Sequence, residues 1–293
     1  TRHFRRAAER ANTTQPTLSE QLKALEVRLG AQLVERTRNR VMMTPLGAQI
    51  VQIARRMLAD ADEIRGLASS GGRELAGILR LGLPASVGPY FLPIVIPELQ
   101  RHYKDLKLYV REELPSELPS ALSEGRHDLL VSLLPVKQGD IDAEELFREP
   151  LYLTVAKGHP LAKKAKVARA DLEGEDILAL GRGHQLHDAA LALSEEFGAR
   201  LRYDYEGTSL DTLREMVAMG LGVTFLPGLY VHAVAERDDN IAIIELGDRA
   251  IYRTVGMMWR RSTARHEQYR ELAQLMRSLV EREFPDCTVL GAS

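Results

Sequence analysis

The tightest constraint in this chain lies between Thr14 and Gly30. Leu18, Leu22, Leu25 and Leu29 recur at spacings of 4, 3 and 4, which lays four large apolar side chains along one stripe of a helix. Thr14 can cap the helix, Pro16 falls in the first turn where a missing N–H costs little, and Gly30 suits the closing position. Ahead of it, FRRAAER places Phe4, Ala7 and Ala8 on one helical face, small enough for a second helix to approach closely. The break at Asn12 and Thr13 then predicts helix, tight turn, helix. After Gly30, ERTRNRVMMTP reads as two short strands around a turn at Arg38 and Asn39.

Charge sharpens that reading. Residues 1–45 carry nine basic groups against four acidic ones, a net +5, whereas the whole 293-residue chain is at −2, leaving −7 for the rest. A cationic module on an anionic body points to a polyanion, because phosphate backbones bind cationic surfaces through counterion release. Gln15, Thr17, Ser19 and Lys23 lie off the leucine stripe and are hydrogen-bonding types suited to base edges and phosphates. Arg36, Arg38 and Arg40 on the strand pair would reach flanking phosphates or a minor groove. Together these predict a winged helix-turn-helix that binds double-stranded DNA.

The run AAERANTTQPTLSEQLKALEVRLGAQLVERTRNRVMMTPLG resembles the N-terminal domain of LysR-type transcriptional regulators. The resemblance makes the helix opening at Gln15-Pro16-Thr17 the recognition helix and assigns Gln15, Pro16, Thr17 and Ser19 to the DNA surface. That family carries a further helix before this pair, of which only the end is present here. The resemblance therefore implies a missing start and a partly uncovered winged-helix core.

From Pro45 to about Ser69, Ile50, Ala54, Met57, Ala61, Ile64 and Ala68 recur at alternating spacings of 4 and 3, the heptad seam of a weak coiled coil or a stripe packed on the chain's own body. Likeness to LysR regulators favours pairing, since their linker helices pair, and so a homodimer or homotetramer. Ser69 to Gly72 reads as a flexible hinge. The expected domains are thus 1–45, a linker over 46–72, and an effector-binding body over 73–293.

In that body short strand-like runs alternate with helical patterns, which predicts an α/β domain with parallel sheet. Strands are expected at 78–83, 106–112, 128–135, 151–156, 176–180, 201–206, 222–226, 241–246 and 251–259, with helices at 90–102, 116–126, 187–197, 210–219 and 263–282. So much sheet suggests two periplasmic-binding-protein-like subdomains, one over about 77–148 and 254–282 and the other over about 149–253, with a ligand cleft between them.

LGLPASVGPYFLP, LALGRGHQLHDAALALSEEFGA and TSLDTLREMVAMGLGVTFLP resemble the OxyR branch of the LysR family. That branch senses peroxide through two cysteines, whose positions here hold Gln185 and Ser194. An amide forms neither sulfenic acid nor disulfide, so the branch's chemistry cannot run there. Either the signal has changed or cysteines were replaced, and the second accounts for the isostere Ser194 better than for Gln185. The resemblance also assigns Ser86 and His184 to the pocket and replaces a pocket threonine with Pro115. Ser86 and Thr208 precede expected helices, whose N-termini favour an anion, so with His184 and Asp188 they form the candidate effector site for a small polar or anionic ligand. For Thr208 and Ser209 plain helix capping is an equal alternative.

Other classes find little support. His184, His187 and Asp188 lack a familiar metal spacing. No P-loop, Rossmann fingerprint or nucleophile elbow occurs, which argues against an enzyme and against a bound cofactor. The chain has one cysteine, Cys287, no apolar run long enough for a bilayer span and no leader pattern, so a cytoplasmic location is expected. A peroxide- or redox-responsive regulator signalling through Cys287 or through a non-cysteine pocket stands as the alternative function.

Overall fold

The computed structural model describes residues 3–36, 41–70, 74–136, 138–164, 166–207, 209–247 and 251–291; the side chains of residues 36, 69, 70, 205 and 206 lie outside that description. The chain divides inside its longest helix into Thr1–Ala59 and Asp60–Ser293, a boundary that lies before the expected hinge over 69–72.

The first unit opens with α1 (Phe4–Arg10) and α2 (Gln15–Leu29). Thr14 caps α2 by accepting from the Thr17 N–H, Pro16 sits in the first turn, and Gly30 closes the helix at φ 65°. Strands β1 (Val34–Arg36) and β2 (Val41–Met43) pair antiparallel as the expected wing. One Glu26 carboxylate oxygen accepts from the Leu33 and Val34 N–H groups at 2.8 and 3.1 Å, which ties the wing to α2. Long helix α3 (Pro45–Ser70) follows, capped by the Thr44 hydroxyl, which accepts from the Gly47 N–H.

The leucine stripe is less covered than its spacing predicts. Leu25 and Leu29 are 44% and 49% exposed, because seven-residue α1 cannot cover all of the fifteen-residue α2. Along α3, Met57 and Ile64 of the expected seam are each 67% exposed, so these two do not pack on the chain's own body.

The second unit carries β3 (Gly77–Leu83), α4 (Gly88–His102), β4 (Leu106–Glu112), α5 (Leu118–Ser123), β5 (Leu129–Leu134) and the sixteen-residue β6 (Ile141–Ala156). Then come β7 (Asp176–Leu180), α6 (Gln185–Phe197), β8 (Arg200–Gly207), α7 (Leu210–Ala218), β9 (Thr224–Pro227), α8 (Gly228–Ala233), β10 (Ile241–Ile244), β11 (Ile251–Arg260), α9 (His266–Glu283) and β12 (Thr288–Val289).

The main sheet runs β10-β6-β11-β5-β3-β4, with β9 and β12 also on β6. Within it β3–β4 and β3–β5 are parallel and the other strand pairs among the described residues antiparallel, so the sheet is mixed rather than parallel throughout, while β7 and β8 form a separate parallel pair. Two large apolar cores flank the main sheet, with a smaller cluster of Leu118, Leu122, Leu130, Ile141 and Met258 beside them. One gathers Leu79, Phe91, Leu129, Phe147, Trp259 and Leu272, and the other Leu153, Leu178, Phe197, Leu213, Phe225 and Tyr230. Long strands β6 and β11 cross between them, and Tyr90 packs against both, its ring 5.1 Å from Tyr230 and edge-on. No helix of the described residues is long and apolar enough to cross a membrane.

Candidate functional site

On the N-terminal unit, Gln15, Ser19 and Lys23 follow one another at four-residue spacing and share a face of α2. Gln15, Pro16, Thr17 and Lys23 are exposed, while Ser19 is half-buried. The Thr17 hydroxyl is 2.8 Å from that of Thr14, so it belongs to the capping turn as well as to the exposed end. This face offers an amide, hydroxyls and an ammonium, the groups a groove-reading helix needs. Arg38 and Arg40 lie outside the described residues, as does the side chain of Arg36.

In the second unit the expected effector residues do not form one cluster. Ser86 is buried, yet it caps no helix: its Oγ accepts from Arg253 Nη1 at 3.0 Å and its carbonyl from Arg253 Nη2 at 2.9 Å. Arg253 Nε donates to Glu149 Oε1 at 2.7 Å, and Glu149 Oε2 accepts from the Leu229 N–H at 2.8 Å. Burial pushes the Glu149 carboxyl up, and Arg253 together with the Leu229 N–H pulls it back. Ser86, a long-strand pair and the start of α8 are thereby joined across the two cores.

The helix N-termini expected to receive an anion are otherwise engaged. Val87 precedes α4 without a side-chain cap, and the Glu112 carboxylate lies against Gly88, 2.9 Å from where a Cβ would stand. Ser209 caps α7 by accepting from the Thr212 N–H at 3.2 Å, the plain capping role. Thr208 lies outside the described residues. His184 precedes α6, and burial with the neighbouring His187 holds its pKa below the usual imidazole value. His187 is a core histidine whose Nδ1 is 2.9 Å from the Leu180 carbonyl.

What the fold does assemble is a pair of cavities that share Gln185. The larger, about 450 Å³, lies between α6 and the long strands and is lined by Gln185, Leu186, Asp188, Leu193, Leu133, Leu151, Ile251, Tyr252 and Arg253 among others. The smaller, about 290 Å³, is lined by Pro115, Ser116, Ser132, Met258 and Gln185 among others. Gln185 and Asp188 were legible as site residues, whereas Arg253, Glu149 and Tyr252 were missed. An arginine inside the apolar strand IYRTVGMMWR was the available signal, since such a residue demands a partner.

The family's two cysteine positions both fall on α6. Gln185 opens the helix, and Ser194, buried, donates its hydroxyl to the Leu191 carbonyl at 2.7 Å. Nine residues of continuous helix separate them by about 13 Å. The single thiol, Cys287, is half-buried beside the first core. Burial, with Glu149 and Asp286 nearby, raises its pKa, the reverse of what a reactive cysteine requires.

Comparison with known proteins adds the following. Residues 72–281 match the family described as LysR substrate binding domain, and residues 1–48 the bacterial regulatory helix-turn-helix proteins of the lysR family. The chain is 37% identical over 284 residues to the DNA-binding transcriptional dual regulator OxyR of Escherichia coli strain K12, covering 97% of this chain and 92% of that protein. It is 34% identical over 283 residues to a probable hydrogen peroxide-inducible genes activator of Mycobacterium avium, covering 96% and 91%. Among solved structures, a full-length OxyR variant from Pseudomonas aeruginosa superposes with a TM-score of 0.77 at 35% identity, covering 94% of this chain and 90% of the other. A hydrogen-peroxide-bound OxyR mutant from Corynebacterium glutamicum gives 0.71 at 27% identity, covering 97% and 89%.

Proposed function

This chain belongs to the LysR family of bacterial transcriptional regulators, and from that premise we propose that it responds to a small molecule held reversibly beside α6, and not to oxidation of a cysteine pair. The observation that carries the reading is Gln185: a non-oxidisable amide lines both cavities at the position where the family resemblance puts a redox cysteine. A ligand there touches α6, β5 and the two long strands at once, so it can favour one arrangement of the two cores over another. By linkage that preference changes DNA binding only as far as the ligand's affinity differs between arrangements.

DNA contact is assigned to Gln15, Pro16, Thr17, Ser19 and Lys23, with Arg36, Arg38 and Arg40 on the wing. The exposed seam at Met57 and Ile64 supports pairing of α3 between two copies, as a dimer or in a tetramer. The family is one of regulators, and no catalytic residue is assigned. A cytoplasmic location accords with a DNA partner.

The test is a mobility shift of the full chain on duplex DNA at stepped salt, with and without hydrogen peroxide. Affinity should fall steeply with salt, Lys23→Ala should flatten the slope, and peroxide should leave the DNA complex unchanged. The names of its relatives favour a second reading, a peroxide response through Cys287 or through the pocket itself. A peroxide-dependent shift abolished by Cys287→Ser would establish the thiol route; a shift that survives it would establish the pocket route.

A further inference from the structure

We infer that the ligand of the α6 pocket is a neutral molecule, apolar over most of its surface, that presents one hydroxyl or carbonyl group to Gln185; this deepens, and rests on, the reading of that pocket as the effector site. A charge census of the lining comes first. Arg253 is its one cation among the described residues, and three of its N–H groups are held by Glu149 and Ser86. Glu149 is fully buried, so it neutralises that guanidinium locally. Asp188 on the exposed rim adds a negative charge.

A carboxylate guest would therefore meet no uncompensated cation while losing its hydration against Leu133, Leu151, Leu186, Leu193 and Ile251. An ammonium guest could reach Asp188, but a solvent-exposed ion pair contributes little. Nor does a helix N-terminus supply a full charge: Glu112 lies against that of α4, Ser209 caps that of α7, and α6, which opens at Gln185 without a side-chain cap, offers only the partial charge of its first N–H groups.

Gln185 supplies a different kind of recognition. Its side-chain amide has no hydrogen-bond partner among the described residues, and it stands between cavities of about 450 and 290 Å³. An amide offers both donors and an acceptor, so it can satisfy a hydroxyl or a carbonyl without any charge on the guest. The larger volume falls in the ordinary range for small-molecule sites, apolar walls with few polar groups being the usual pattern.

The test uses the full chain and four probes with one aromatic body: phenylethanol, phenylacetamide, phenylacetate and phenylethylamine, titrated by calorimetry. The alcohol and the amide should bind about fivefold or more tightly than the acid and the amine, the factor worth one net hydrogen bond. Gln185→Leu should remove that preference, and Asp188→Asn should leave it in place. Gln185 is half-buried in the first turn of α6, and Trp259 fluorescence reports whether either variant keeps the effector unit folded; Gln185→Ala serves if the leucine does not. Tighter binding of the acid, binding of neither neutral probe at millimolar concentration, or an unchanged preference in the folded Gln185 variant overturns the inference. A mobility shift on the same preparation separates the outcomes, since lost DNA binding counts against the regulator reading and leaves the ligand class standing.

Discussion

Asp62 near the end of α3 and Arg80 of β3 are joined by a charge-assisted hydrogen bond, and the same guanidinium reaches Asp128 at 3.4 Å. One residue along, the Glu63 carboxylate accepts from the Thr263 hydroxyl and the Ala264 N–H, both at 2.7 Å, while Arg265 Nη2 donates to the Ala76 carbonyl at 3.2 Å. The last turns of α3 are therefore docked on the effector unit, where the sequence predicts the approach to a flexible hinge. α3 continues through Ser70, and Gly71 and Gly72 lie outside the described residues.

That docking should weaken in acid. The hydrogen bond from Arg80 holds the Asp62 carboxyl below the usual carboxylate range, with Arg65 assisting. A carboxyl whose folded pKa is depressed contributes stability that is complete above its unfolded value, about 3.9, and is lost as pH falls through the folded value. The protection of amides 62–68 relative to their intrinsic exchange rates should stay high at neutral pH and fall below about pH 4. Asp62→Ala should bring that loss of protection up to neutral pH and cost about 1 kcal/mol, as expected of a half-exposed pair. Slow exchange in that variant at neutral pH would show that Glu63 alone holds the helix.

Local rules carried most of the fold. Strands 106–112 and 176–180 match to the residue, and DLLVSLLP overshoots β5 by one residue at each end, since each is a β-rich run with a turn signal at its end. β6 begins at Ile141, ten residues before the strand expected over 151–156, because IDAEELFREP mixes charges and a proline into a segment that only tertiary pairing with β11 makes a strand. Six-residue α8 is too short to show a helical period. The site follows the same division: Gln185 comes from family likeness and Asp188 lies three residues on in the same stretch, whereas Glu149 and Arg253 sit 104 residues apart and meet only through the β6–β11 pairing. No local pattern encodes such a pair.

Gly47 offers a sharp mutational test of the N-terminal unit. A Cβ there would lie 2.0 Å from the Leu33 carbonyl oxygen, a backbone atom that cannot rotate away. Gly47→Ala should push α3 off the base of the wing and destabilise the unit by about 1–3 kcal/mol, the range for overpacking. DNA affinity should fall, while Trp259, which belongs to the other unit, should report an unchanged unfolding transition. Gly158→Ala, with open space around the new Cβ, is the control and should change neither readout.

Cys287 should behave as a packing residue. Its thiol is raised by burial and by the Glu149 and Asp286 carboxylates, so the thiolate is scarce at neutral pH. A thiol reagent should modify it slowly in the folded protein, at least about tenfold slower than in denaturant, and hydrogen peroxide should leave its mass unchanged over the same period. Rapid labelling of the native protein would return the thiol to consideration as a sensor.

The Glu149–Arg253 pair allows a test of how the two long strands are held together. Glu149 is 0% exposed and Arg253 nearly as enclosed, and each has its partners fixed: Leu229 N–H for the carboxylate, Ser86 for the guanidinium. Removing one charge strands the other in a low-dielectric interior, so Glu149→Ala should cost about 3–5 kcal/mol. Glu149→Gln keeps an acceptor for Leu229 but not the charge, and should fall between it and the unchanged protein. The chain's single tryptophan, Trp259, is buried in the effector unit, so urea unfolding followed by its fluorescence reads that unit alone. Equal midpoints for all three proteins would mean that the pair adds nothing beyond the strand pairing around it, and that a ligand displacing Arg253 from Ser86 would meet little resistance.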